Sequence, residues 1–421
     1  MGISKWQKSP LKLLCHKIGD GLHGTPQYDE KSEFFFINGN NLKNGNICIF
    51  EDTKKVSSDD YENNYIELNE KSLLFSINGT IGGMAFYNDE KVMLGKSAAY
   101  LNFKTEINQF YYYYFQLKGV QQYFYNVATG STIKNLGLKS IQDFEVPSPN
   151  AEDWLPIAKV LSNLDKKIEL NNKINAELEA MAKLIYDYWF VQFDFPDANG
   201  KPYKSSGGKM VYNEELKREI PNGWDDGSLN DVGEIVGGST PSTKALENFT
   251  KIGTPWITPK DLSMNIGNKF ITRGGMDVSD KGIRSASLKI YPKNTVLMSS
   301  RAPIGYMAIA RGRLTTNQGF KSFLPNKGFS SDFIFYTVKN SMKSIVQYSS
   351  GSTFKEVSGA VLKTVKVCLP KTEVAGLYSK KIESIFNRQN LLEIENTKLT
   401  ELRDWLLPML MNGQVTVKDL S

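Results

Sequence analysis

The sequence predicts a duplicated architecture of two globular domains, each closed by a short β-like segment and followed by a long helix. Three observations carry this. Motifs of the first half recur in the same order in the second. Each half ends in a helical stretch whose apolar and small positions alternate in steps of 4 and 3. A segment rich in Pro, Gly, Ser and Lys separates the first helix from the second half. A chain of 421 residues also exceeds what one hydrophobic core usually supports.

The repeat is explicit. LLFSINGTIGGMAF (73–86) aligns with VLMSSRAPIGYMAI (296–309), an offset of 223 residues that carries Ile81-Gly82 onto Ile304-Gly305. ATGSTIK (128–134) answers SSGSTFK (349–355), and each precedes a β-like segment ending in Pro, FEVP and VCLP. GTPQY (24–28) answers STPST (239–243), with Trp6 and Trp224 ahead of them. The offset is far longer than a solenoid repeat, so whole domains are duplicated. The expected boundaries are 1–150 and 224–370 for the globular domains, 151–195 and 371–413 for the helices, and 196–223 for a linker.

The first helix runs from about Leu155 to Phe190, with Pro156 at a position that suits a helix start. Its seam is Leu164, Ile168, Asn171, Asn175, Leu178, Ala182 and Ile185. The second runs from about Val374 and is stopped by Pro408. Its seam is Ile382, Ile385, Gln389, Leu392, Asn396, Leu399, Arg403 and Leu406. Either each helix packs on its own domain or the two pack on each other; matching seams favour the pair. Asn175 falls on Asn396 at an offset of 221 residues, so either both are surface residues or they form a register device in the seam.

Catalytic patterns are largely missing. The two histidines, His16 and His23, lie together near the start and cannot serve both halves of a duplicated protein. No GxxxxGK[ST] phosphate loop, no Asn-Pro-Pro-Tyr or Asp-Pro-Pro-Tyr run and no GxGxxG after a strand occurs. Pro196-Asp197 with Glu215-Leu216-Lys217 formally matches a PD…ExK nuclease, but within a linker those carboxylates would not be preorganised on a metal. Cys15, Cys48 and Cys368 have no metal-ligand spacing and suit a reducing cytoplasm. No signal peptide or membrane-length apolar run is evident, and the composition is that of an ordinary soluble protein. A binding role remains, with neither cofactor nor metal on this chain.

Charge suggests the ligand. Residues 225–370 hold 19 Lys and Arg against 10 Asp and Glu, whereas residues 1–150 hold 15 Lys, no Arg and 16 acidic groups. The basic second half suits a polyanion. In the repeated GSTxK element, Ser131, Thr132 and Lys134 and their counterparts Ser352, Thr353 and Lys355 either form plain helix caps or contact phosphate; recurrence beside Gly130 and Gly351 favours phosphate. Arg273, Arg284, Arg301, Arg311, Arg313, Asn317, Gln318 and Lys321 are candidates for reading bases, since Arg suits guanine and Asn or Gln adenine. TTNQGFKS (315–322) is their densest cluster, and LGKSAAY (94–100) is its counterpart. The Arg-free first half would read with Asn78, Lys96, Asn135, Gln121, Gln122 and tyrosines, and so favour a site richer in A·T. The YYYYF run (111–115) fits either base stacking or a core helix, and burial is the more economical reading. A helix of about 35 residues spans roughly 50 Å, more than one duplex turn of about 34–36 Å, so two unlike readers on such a spacer imply a bipartite, asymmetric site.

LSNLDKKIELNNKINAELEAMAKLIYDYWFVQFDFP (161–196), NGKPYKSSGGKMVYNEELKREIPNGW (199–224) and LTELRDWLLPMLMNGQVTV (399–417) carry a further signal. With the order repeat, helix, linker, repeat, helix, the chain resembles the specificity (S) subunits of type I restriction-modification systems along essentially its whole length. The resemblance implies a mixed α/β (α+β) target recognition domain in each half and an antiparallel coiled coil of the two helices. Leu164, Ile168, Asn175, Leu178, Ile185, Ile385, Leu392, Asn396, Leu399 and Leu406 then form the helix-pair and subunit interface. It implies a non-catalytic, cytoplasmic subunit that binds double-stranded DNA. Two modification subunits carrying S-adenosylmethionine would methylate adenine, and restriction subunits using ATP and Mg would translocate and cut. The rival readings are a recognition subunit of a two-component type II system and a scaffold that binds only proteins.

Overall fold

The computed structural model describes residues 6–301, 303–349 and 356–417. The chain divides into two compact units, Met1–Ile168 with Lys398–Ser421, and Glu169–Thr397. Each therefore contains one globular domain and parts of both long helices, which is not the boundary that the linear repeat suggests.

In the first unit an antiparallel sheet runs in the order Cys15–Asp20, Ala98–Phe103, Ser72–Ser76, Met84–Phe86. Every residue of Ser72–Ser76 is buried, because both of its faces are covered. Leu73 and Phe75 point into a core completed by the helix Asn108–Phe115 and by Trp154, Ile157, Leu161, Leu407 and Leu410. Leu74 points the other way, into a core with Ile37, Leu94 and Tyr100. A smaller sheet pairs Phe34–Ile37 with Val92–Leu94 in parallel. Lys8–Pro10 and Glu145–Pro147 form a separate antiparallel pair.

The second unit restates this plan. Its antiparallel sheet contains Glu234–Gly237, Lys321–Leu324, Val296–Met298 and Met307–Ala310, extended by Phe270–Ile271 in parallel. Thr254–Ile257 pairs in parallel with Thr315–Thr316, and Asp225–Ser228 with Lys366–Leu369 in antiparallel. Val296 and Met298 face one core and Leu297 the other, as Leu73, Phe75 and Leu74 do. The YYYYF run lies in the core helix of the first unit, where Tyr111, Tyr112, Tyr113 and Phe115 are buried. No helix among the described residues is long and apolar enough to cross a membrane.

The first long helix is Ala151–Tyr186 and begins earlier than its Pro156 suggests. Asn150 caps it, its side-chain Oδ1 accepting from the Asp153 N–H at 2.9 Å. The second is Thr372–Met411, and Pro408 lies inside it rather than stopping it. Proline forfeits one helical hydrogen bond, but Leu407, Leu410 and Met411 are buried in the core of the first unit and carry the helix through.

Within each unit the two helices run antiparallel. In the second unit the Asn171 side chain donates to Asn396 Oδ1 and Glu395 Oε2, both at 2.9 Å, and Asn396 donates to Asn172 Oδ1 at 2.8 Å. Further along, Gln389 donates to the Asn175 carbonyl at 3.3 Å and the Tyr378 hydroxyl to the Ala182 carbonyl at 3.3 Å. In the first unit Asp165 accepts from Arg403 at 2.8 Å. Rising numbers on one helix thus meet falling numbers on the other. Asn175 and Asn396 do not pair as equivalents, because antiparallel helices carry equivalent positions apart. Asn396 bonds Asn171 and Asn172 instead. Leu164, Ile168, Leu178, Ile185, Ile385, Leu392, Leu399 and Leu406 all lie on the buried or half-buried side of their helices.

The segment expected as a linker is folded. Met210–Asn213 and Arg218–Pro221 form a hairpin whose turn is held by Asn213 Oδ1, which accepts from the Glu215 and Leu216 N–H groups at 3.0 and 2.9 Å. Tyr203, Phe195 and Trp224 stack successively, with centroids 4.7 and 4.9 Å apart. These aromatics offset the ordering entropy that the surrounding polar residues would not repay. Of the nuclease-like residues, Asp197 accepts from local N–H groups of the same turn and Glu215 pairs with Lys366, with no group of metal-ligand type among the described residues.

A buried polar knot ties the second domain to both helices of its unit. Lys269, 5% exposed, bonds Glu179 (2.6 Å), Gln389 (2.8 Å) and the Tyr336 hydroxyl (2.8 Å). Burial pushes its ammonium pKa down to about 8, against the pull of Glu179. Glu393 accepts from the Lys269 and Phe270 N–H groups at 2.7 and 3.1 Å and from Arg311 at 2.5 Å. The first unit has a smaller counterpart, in which the Tyr113 hydroxyl donates to Asp165 (2.7 Å), itself paired with Arg403. Lys269→Met leaves Glu179 short of its closest cation and should cost about 3–5 kcal/mol in denaturant unfolding of the full chain. The double variant Lys269→Met/Glu179→Gln should recover part of that loss, because no buried charge is then stranded.

Candidate nucleic-acid interface

In the first unit three loops meet at the end of the central strand Ser72–Ser76. The Ile77 N–H donates to the Ser97 carbonyl (3.0 Å), and the Leu136 N–H donates to the Ile77 carbonyl (2.8 Å). Asn78 forms a β-bridge with Asn135, and the Gly79 N–H donates to the Lys134 carbonyl (3.0 Å). Lys96 is thereby brought beside Asn78, with its side chain exposed. The GSTxK element closes on itself through reciprocal Thr129–Asn135 backbone bonds of 2.9 and 2.8 Å. Gly130 makes this possible: its φ is +98°, and an added Cβ would lie 2.2 Å from the Ile133 carbonyl oxygen.

Ser131 and Thr132 cap no helix, contrary to one sequence reading; the next helix, Leu138–Gln142, has Gly137 at its cap. The left-handed Gly130 turns the chain into a loop instead, and both hydroxyl residues are left exposed. Lys134 is anchored by the Ala128 carbonyl (3.3 Å) and lies 5.4 Å from the Tyr125 ring.

The second unit assembles the equivalent loops. The Ser300 N–H donates to the Gly319 carbonyl (2.8 Å), the Val357 N–H to the Ser300 carbonyl (2.9 Å), and Arg301 bridges Glu356. Lys96 and Gln318 thus hold equivalent places, as do Asn78 and Arg301. Thr240 of the STPST segment donates its hydroxyl to Gln318 Oε1, and Asn317 Oδ1 accepts from the Gly319 N–H (2.9 Å). The Arg301 Nε lies 3.2 Å from Glu356 Oε2. Burial lowers the Lys321 ammonium pKa and Glu356 partly restores it, so one carboxylate serves two cations. Gly351, Ser352, Thr353 and Lys355 lie outside the described residues.

Two domains of one plan thus present matching loop sets with different polar side chains. The family model of the type I restriction modification DNA specificity domain matches residues 3–180 and 221–404. The chain belongs to that family. It is similar to the type I restriction enzyme MjaIX specificity subunit of Methanocaldococcus jannaschii, 40% identical over 196 residues, which cover 45% of each chain. Against that relative the match spans less than half of its length. Similarity to the HindI specificity subunit of Haemophilus influenzae is 26% over 349 residues, 70% of this chain and 74% of the relative. The fold is like that of the type I restriction-modification S subunit from M. genitalium, with a TM-score of 0.58 at 16% identity over 97% and 96% of the two chains.

Not every polar candidate of this specificity-domain chain belongs to the loop set. Arg311 does not: its guanidinium, 16% exposed, is held by Glu393, Asn390 (2.6 Å) and Thr272 (3.2 Å), so it fastens the sheet to the second helix. Arg273 is half-exposed and paired with the buried Asp277 at 2.9 Å, on a different loop. Arg284, at the end of the short helix Asp280–Ser285, and Arg313 are exposed, and among the described residues neither has a side-chain hydrogen bond or ion pair to the Arg301 set. Gln121 donates to the Phe115 carbonyl (2.6 Å) beneath Gly82, a packing role. Gln122 bonds Asn126 on its own helix face. Sequence reasoning missed Thr240 and Glu356. Thr240 lies within the repeated STPST segment and Glu356 just after SSGSTFK, but the value of each depends on a partner roughly 50–80 positions away in the chain.

Gly130→Ala should disturb the loop without unfolding the domain, at a strain of about 1–2 kcal/mol. Duplex affinity should fall about ten-fold while circular-dichroism melting shifts by only a few degrees.

Proposed function

We propose that the chain is the DNA-reading specificity subunit of a type I restriction-modification complex, binding a bipartite, asymmetric duplex site through its two domains. The observation that carries this is the convergence of equivalent loops in both units, with Asn78, Lys96 and Lys134 in one and Arg301, Gln318 and Lys321 in the other. Main-chain bonds fix where these side chains stand, and their chemistry differs between units, which is the requirement for reading two unlike half-sites. Lys134 together with Ser131 and Thr132 contacts phosphates, as do Ser352, Thr353 and Lys355 in the second half, while Lys96 reads a base edge beside Asn78. Arg273, Arg284 and Arg313 supply outlying contacts to the backbone.

The chain also scaffolds two modification subunits and, through them, restriction subunits. Support comes from apolar side chains left in water on both helices. Leu170, Met181 and Leu184 are exposed on the first, and at a constant offset of 221 residues Leu391, Leu402 and Trp405 are exposed on the second. Duplicated exposed apolar positions suit two copies of one partner. Methyl transfer from S-adenosylmethionine and ATP- and Mg-dependent cutting belong to those partners, in the cytoplasm.

Duplex binding by the complex, titrated by anisotropy between 50 and 200 mM salt, should weaken steeply. Lys134→Ala should lower the log–log salt slope by about one without changing the preferred sequence. A flat salt response would sink the DNA-reading proposal. Leu184→Asp should remove one modification subunit from the assembly and Trp405→Asp the other, counted by native mass spectrometry. Both side chains are about two-thirds exposed, so the melting temperature of the free chain should hold.

A further inference from the structure

A β-bridge occurs in both units at equivalent positions after the central strand, yet its residues differ in kind. In the first unit it joins Asn78 and Asn135, and in the second Arg301 and Glu356. Residues directly opposite in an antiparallel bridge project to the same face, so each bridge presents two side chains together. The Arg301–Glu356 ion pair is that juxtaposition realised.

We infer that this bridge is a base-selecting position in each recognition domain, with Asn78 and Asn135 selecting adenine and Arg301, held by Glu356, selecting guanine. The inference rests on the DNA-reading proposal above and deepens it.

The chemistry follows from what each pair leaves free. Glu356 engages Arg301 through Nε, at 3.2 Å. Among the described residues the two terminal nitrogens of that guanidinium have no partner, and they are the donor pair that matches guanine O6 and N7. With both side chains of the pair partly exposed, Arg301 is oriented without being withdrawn from a ligand. A carboxylate at this place also repels a phosphate, so Arg301 is directed to a base edge rather than to the backbone. In the first unit the carboxamides of Asn78 and Asn135 have no side-chain partner among the described residues, although their main chains are fixed. A carboxamide presents one donor and one acceptor, the complement of adenine N7 and N6. The framework is common to both units, so exchanging the pair exchanges the preference.

The test uses the full chain assembled with its modification subunits and a duplex library randomised across both half-sites. The wild-type complex should enrich guanine at one position of the second half-site and adenine at one position of the first. The double variant Arg301→Asn/Glu356→Asn should move the second position from guanine towards adenine, changing the ratio of the two bases by about 5- to 150-fold. The first half-site should stay as it was. Arg301→Lys keeps the charge and loses the fork, and should blunt the guanine preference even if the double variant folds poorly. Unchanged preferences in the variants, or an even loss of affinity for all sequences, would overturn this inference and leave a sequence-reading protein in place. A wild-type complex with no sequence preference at all would sink the broader proposal instead.

Discussion

Each long helix carries a stripe of apolar and amide side chains that folding must remove from water, and each stripe finds cover on the other helix run in the opposite direction. This antiparallel seam decides how the duplicated halves are used. It lets the end of the second helix supply Leu407, Leu410 and Met411 to the core of the first unit, so Pro408 is tolerated where proline would ordinarily end a helix. It also sets which amides meet. Asn396 finds Asn171 and Asn172, and Gln389 finds the Asn175 carbonyl, bonds that a parallel pair could not form at these positions.

Each recognition domain is tied to the helices by a tyrosine of its core helix bonded to a carboxylate that is itself paired with a cation. Tyr113 uses Asp165 and Arg403; Tyr336, on the helix Ser331–Asn340, uses Glu179 with Lys269 and Lys339. The second unit buries far more charge, and satisfies it with Gln389, Asn390, Arg311 and Glu393. A fully satisfied polar knot is directional in a way that apolar packing is not, so it holds the sheet at one angle to the helices within its unit. That stiffness matters for a reader, since base edges are distinguished by hydrogen-bond geometry rather than by burial.

Above these anchors the two units keep their strands and vary their loops. Ser72–Ser76 and Val296–Met298 are buried on both faces, so their residues answer to packing. The loops that follow are held by main-chain bonds that any residue type can make, such as Ile77 to Ser97 and Ser300 to Gly319. Their side chains are therefore free to differ, and do: Lys96 stands where Gln318 stands, and Asn78 where Arg301 stands.

The repeat, the two helical seams, the core role of the YYYYF run and the family were legible in the amino-acid sequence, because each is a pattern among near neighbours or an ordered recurrence. Periodicity marks which face of a helix is apolar, and recurrence marks equivalence between halves. Neither says what lies opposite. Only the tertiary structure removed Arg311 from the candidate readers, since its three partners lie some 40 to 80 positions away in the chain. The same holds for Arg301 and Glu356, which strand pairing makes neighbours, and for the supposed linker, whose aromatics become a core once Trp224 stacks on Phe195. Composition specified the groups on offer, and the long-range contacts decided which are bound up in the fold and which are left to meet a ligand.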